Sequence, residues 1–110
     1  MRKIDLAVAG AVHRFTPFSS DGTEFRRQAG TDSCWELVLH GNVIATFDQK
    51  GEYPTIPTYV NLCGWVSKTT CARLNALDGV KLKIKDGIPY LNGKEIEVEG
   101  WWNPRNGYGW

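Results

Sequence analysis

The stretch Gly64-Trp65-Val66-Ser67-Lys68-Thr69-Thr70-Cys71-Ala72-Arg73-Leu74-Asn75 holds the chain's densest set of groups that could bind something. A helix starting near Ser67 would present unpaired backbone N–H groups and a partial positive charge, which together favour an anion. Ser67, Thr69 and Thr70 add hydroxyls, Lys68 adds an ammonium, and Arg73 lies one turn on from Thr69 and Thr70. Trp65 offers a flat ring for stacking. The set suits a phosphate or a nucleotide. It equally suits a plain helix start, with Ser and Thr as caps, Trp65 in the core and Arg73 as a surface charge.

A second concentration is aromatic. Five Trp occur in 110 residues, and three of them, Trp101, Trp102 and Trp110, sit in the final segment GWWNPRNGYGW with Arg105 and Tyr108. Tyr, Trp and Arg are enriched where binding energy concentrates, so residues 100–110 either meet a partner or fold back on the body. Arg14, Arg26, Arg27 and Arg105 could combine with these rings to grip a nucleic acid through phosphate contacts and stacking. They are few and scattered. Thirteen Lys and Arg stand against twelve Asp and Glu, a formal net charge of +1, so no global basic excess drives such binding.

Catalytic and metal signatures are missing. The sequence has no phosphate-binding Walker loop, no G-x-S-x-G elbow, no H-E-x-x-H and no G-x-G-x-x-G after a strand. Cys34 and His40 share a strand face by parity, but six residues of extended chain separate them by about 20 Å, too far for a nucleophile–base pair. Cys34, Cys63 and Cys71 form an odd set without a C-x-x-C pair. That argues for reduced thiols inside a cell rather than a disulfide framework. With His13 and His40 they lack the paired spacing of a zinc site. The expectation is a protein that is not an enzyme and has neither cofactor nor metal. The opening MRKIDLAVAGAVHRF is broken by Asp5 and ends at His13-Arg14, which does not make a signal peptide. No apolar run reaches the roughly 18 residues that a membrane span needs.

These groups must be positioned by elements, and the pattern predicts an α+β fold in a single domain, 1–110. Ile4, Val8, Ala11, Val12 and Phe15 repeat at helical spacing, giving an N-terminal helix over residues 3–14, while Asp5 is read with the charges off that face. Residues 17–22 read as a loop. Alternation then predicts strands over 23–27, 35–40, 43–47 and 59–63, with Gly41-Asn42 as a two-residue hairpin turn. A central helix over about 67–77 stops at Asp78-Gly79. The antiparallel sheet comes to about four to six strands, closed by a C-terminal β-hairpin.

For that hairpin the sequence offers two arrangements. Lys81, Lys83 and Lys85 alternate with Leu82 and Ile84, and Glu95, Glu97 and Glu99 alternate with Ile96 and Val98. Direct pairing sets Lys81 opposite Glu99, Lys83 opposite Glu97 and Lys85 opposite Glu95, so charge and apolar faces agree in one register. The alternative is a three-stranded meander turning at Asp86-Gly87 and Asn92-Gly93, with Pro89 in its middle strand. Proline removes a ladder donor there, which favours the long hairpin.

The order of segments also resembles a family of small proteins of tailed bacteriophages and prophages. The resemblance rests on LHGNVIA (residues 39–45), NLCGWVSKTTCARLNAL (61–77) and GIPYLNGKE (87–95), and it spans nearly the whole chain. Cys71 and Ala72 depart from the polar residues expected there, as does the long Trp-rich end. The resemblance implies a phage accessory protein of the host cytoplasm and carries over no catalytic residue. By analogy it points to a non-enzymatic protein that inhibits a host or defence complex, such as a CRISPR machine, by protein–protein contact. The candidate surfaces are Trp65, Ser67, Lys68, Thr69, Thr70 and Arg73, together with the C-terminal aromatic segment. A nucleotide signal sequestered at residues 67–73, or a nucleic acid, is the alternative ligand.

Overall fold

The computed structural model describes residues 2–64 and 66–105. The first apolar stripe winds into α1 (Lys3–Arg14), as its spacing predicts. The helix ends on Phe15, whose φ of 46° is left-handed, while Thr16 N–H reaches Ala11 C=O at 3.0 Å. Such an ending usually takes glycine. Here the Phe15 ring is held by Phe25 and Trp35, with ring centroids 6.2 and 5.7 Å away, and this packing keeps the strained backbone in place.

Five strands follow in chain order: β1 (Phe18–Ser20), β2 (Thr23–Arg27), β3 (Cys34–Leu39), β4 (Asn42–Asp48) and β5 (Tyr59–Val60). Each pairs antiparallel with the next, so the sheet order is the sequence order. β1 lies inside the stretch read as a loop. Asp21-Gly22, both at positive φ, form the primed turn that lets Phe18 return onto Phe25. The next tight turn is His40-Gly41, also both at positive φ, not Gly41-Asn42. Asn42 opens β4 instead, opposite Leu39. Leu37 faces Ala45 and Val38 faces Val43, so Ile44 bulges from the ladder. The bulge brings Leu37, Val38 and Leu39 all into buried positions, against strict alternation. The segment read as a strand over 59–63 pairs only through Tyr59 and Val60.

Next comes α2 (Lys68–Asn75), shorter than the predicted 67–77, with Ser67 as its cap. Then β6 (Leu82–Lys85), β7 (Ile88–Leu91) and β8 (Lys94–Glu95) form a separate three-stranded sheet. The long hairpin is not made. Lys83 faces Tyr90 and Lys85 faces Ile88, so the chain takes the meander, turning at Asp86-Gly87 and Asn92-Gly93 with all four residues at positive φ. Pro89 is tolerated because of the ladder's phase. Ile84 and Pro89 form a non-hydrogen-bonded pair, so the proline nitrogen faces β8 rather than β6. On that side Pro89 C=O still accepts from Ile96 N–H at 3.0 Å, and the missing donor falls where β8 has ended.

One core unites the parts. Val8, Ala11 and Val12 of α1, Leu74 of α2, and Phe25, Trp35, Leu37 and Phe47 of the larger sheet share a buried cluster with Leu82, Leu91 and Ile96 of the meander. Phe25 stacks on Trp35 at 4.9 Å and meets Phe47 edge-on at 5.5 Å. No helix among the described residues is long and apolar enough to cross a membrane.

Candidate functional site

The residues first in line for anion binding divide between the interior and a shallow cleft. Arg73 turns inward. It is 3% exposed, its Nη1 donates to Asp5 Oδ1 at 2.6 Å, and its Nε donates to Thr23 Oγ1 at 3.0 Å. Asp5 and Thr23 are themselves 2% and 1% exposed. The guanidinium therefore joins α1, α2 and β2 rather than serving as a surface charge. Asp5, read as lying off the apolar face, is three residues before Val8 and so shares its side of α1. The sequence signal was available: an acid on an apolar stripe needs a buried cation or donor.

Ser67 is engaged as a cap. Its Oγ accepts from Thr70 N–H at 3.0 Å and donates to Thr70 Oγ1 at 2.8 Å. Around this helix start lies a cleft of about 240 Å³, into which β3–β4 contribute His40 and Asn42 and the following loop contributes Cys63 beside Ser67, Thr69 and Thr70. Lys68 is exposed on its own turn. Burial pushes the thiols of Cys63 and Cys71 up from their ordinary range. Trp65 lies outside the described residues.

The aromatic end also divides. Trp102 folds back: it exchanges both backbone hydrogen bonds with Val60 at 2.9 Å and so covers the β5 edge. Its Nε1–H donates to Glu99 C=O at 3.1 Å. Trp101 is half-buried, and Pro104 is buried. The Arg105 guanidinium stacks over the Tyr53 ring at 5.2 Å. Tyr108 and Trp110 lie outside the described residues. The proposed arginine grip is largely engaged within the chain as well. Arg26 bonds Glu36 at 2.8 Å, which holds it still more firmly protonated, and Arg27 covers Trp35 at 5.3 Å.

The meander carries a surface that sequence reasoning treated as internally neutralised. In its true register Lys83 and Lys85 face Tyr90 and Ile88, not glutamates. Lys81, Lys83 and Lys85 are exposed and form no ion pair among the described residues. Two-residue periodicity puts all three on one face. A groove of about 480 Å³ runs beside them, walled by Val80, Lys81, Lys83, Tyr90 and Asn92, and no carboxylate of the described residues lines it. Ile84 and Ile88 are each 38% exposed near the Asp86-Gly87 tip.

Two asparagines fix this sheet to the body. Asn75 of α2 accepts from Leu82 N–H at 2.7 Å and donates to Leu82 C=O at 3.0 Å, imitating a neighbouring strand. Asn92 accepts from Lys81 N–H at 2.7 Å, donates to Gly79 C=O at 2.8 Å, and also donates to Pro104 C=O. The lysine row is therefore presented on a braced support.

Among families of known proteins, one described as Kyanoviridae Gp96 protein matches residues 1–108, and the chain belongs to that family. No curated protein and no solved structure matches it.

Proposed function

We propose that this member of the Kyanoviridae Gp96 family of phage proteins is a non-enzymatic binding protein. It acts in the host cytoplasm by protein–protein contact, inhibiting a host component or a defence complex such as a CRISPR machine. The observation that carries this reading is the row Lys81, Lys83 and Lys85 along β6, without an ion pair among the described residues, beside an open groove and the exposed Ile88. Charged residues on a fixed support, next to apolar side chains left in water, are what a partner surface requires. The phage origin supplies the setting, and the host target follows only by analogy from it.

The test is affinity capture with the tagged full-length chain from host lysate. Stoichiometric enrichment of a host or defence protein supports the reading, and no enriched protein across lysates of susceptible hosts sinks it.

A second reading keeps a nucleotide signal at the α2 start, where the cleft of about 240 Å³ joins His40 to Thr69 and Thr70. Arg73 is committed to Asp5, which leaves Lys68 as that segment's free cation among the described residues. Calorimetry with candidate nucleotide signals on the wild type and Thr69→Ala tests it. A signal that binds the wild type and not the variant sustains the reading, and no heat with any of them removes it.

A further inference from the structure

We propose that the outer edge of β6 takes up an extended segment of a partner protein, with acidic residues at alternate positions and an aliphatic residue between them. This rests on the binding-protein reading and names the chemistry of its partner. β6 is a terminal strand of its sheet. Its pairs alternate, so Leu82 and Ile84 aim their backbone N–H and C=O away from β7, while Lys83 and Lys85 aim theirs toward it. Asn75 occupies the outward groups of Leu82. The outward groups of Ile84 have no partner among the described residues, and its side chain is 38% exposed. The open stretch of edge is therefore short and centred on Ile84.

A segment added beside this edge has its own two-residue period. The residues flanking the one opposite Ile84 fall on the lysine face, next to Lys83 and Lys85, at the short separations of cross-strand neighbours. Acids there complete ion pairs that the described residues leave unmade. The residue opposite Ile84 meets an aliphatic side chain on the other face. On the lysine face the groove at Lys81 and Lys83 leaves room for the incoming side chains. The chain's own Glu95-Ile96-Glu97 has this alternating pattern. It is not free to serve, because Ile96 is 3% exposed and its N–H is bonded to Pro89. Two copies joined symmetrically through β6 would set lysines against lysines, which disfavours a second copy as occupant.

The experiment is fluorescence anisotropy with the full-length chain. The probe is a short capped peptide of alternating glutamate and isoleucine, and its counterpart carries glutamine for glutamate. The glutamate peptide should bind, weaken as salt rises, and exceed the glutamine peptide by about tenfold or more. Lys83→Glu with Lys85→Glu should abolish binding, while Lys50→Glu, in the exposed loop after β4 of the larger sheet, should leave it intact. Circular dichroism on each variant separates lost binding from lost folding. Equal binding of the two peptides, or no binding of either, overturns the proposal. So does tighter binding of a single-stranded oligonucleotide at the same lysines, or a dimer in light scattering that the lysine reversals dissolve. Failure here stays distinct from failure of the wider reading. A host protein captured equally by the wild type and by the reversed variant keeps the binding-protein reading and removes the β6 edge from it.

Discussion

Two regions of the molecule treat positive charge in opposite ways. Arg73 is 3% exposed and has both a carboxylate and a hydroxyl partner, whereas Lys81, Lys83 and Lys85 face water and form no ion pair among the described residues. Burial explains the first arrangement. A charge removed from water must find an opposite charge and hydrogen-bond partners, and the bridge supplies them from three elements. Solvation explains the second, since exposed ammonium groups need no partner to be stable and remain available to one. The contrast separates what holds this fold together from what it can offer to another molecule.

The sharpest way to break the contrast is to remove one half of the bridge. Asp5→Ala or Arg73→Met strands the other charge in the interior and should cost about 3–5 kcal/mol. Urea denaturation should then find little or no folded protein at ambient temperature. The paired variant Asp5→Leu with Arg73→Met should be more stable than either single one, because it strands nothing. A double variant no better than the singles would refute the bridge as the source of the loss.

Asn75→Ala comes next. It leaves the Leu82 N–H and C=O without their partner and should cost about 1–3 kcal/mol. Hydrogen exchange should quicken first in β6, near the clamp, and last at Phe25 and Leu37. Uniform quickening across both sheets would show that the two do not loosen separately.

At the exposed end, Gly10→Ala should stabilise by about 0.5–1 kcal/mol, since glycine interrupts α1 and the nearest obstacle is the flexible Arg14 side chain at 3.1 Å. A lowered melting temperature would place a fixed neighbour there instead. Lys81→Gln and Lys83→Gln should change stability least, within about 0.5 kcal/mol either way. A larger drop in the melt would mean the lysines serve the fold after all, and the contrast would fail.

Much of the architecture was legible in the sequence because local patterns specified it. The stripe through Val8 and Val12 marked α1, and Ser67 marked the start of α2. The alternation from Trp35 through Phe47 marked the central hairpin. What escaped depended on position in three dimensions. Phe18 and its neighbours form a strand because a primed turn at Asp21-Gly22 folds them onto β2, and a three-residue strand has too short a pattern to declare itself. Charge complementarity between 81–85 and 95–99 was a real regularity with the wrong consequence, because two local turns outweighed one long pairing. The proline objection failed for a similar reason, since only the ladder's phase decides which side of β7 lacks a donor. For the site, Ser67 and Thr70 were found where a cap was expected. Arg73 was legible as a cation but not as a buried one, since its partner Asp5 is 68 positions away. The lysine face was hidden by the register that cancelled it.

The order β1-β2-β3-β4-β5 has a kinetic meaning as well. Every strand of the larger sheet pairs with its immediate successor, so loop closure is short at each step and the sheet can be assembled by zipping from its turns. The Arg73–Asp5 bond spans 68 positions and must wait for that scaffold. Substitutions at the His40-Gly41 turn should therefore slow refolding, whereas loss of the bridge should chiefly accelerate unfolding. The charge that secures the finished molecule is then its latch, set after the path to it has been travelled.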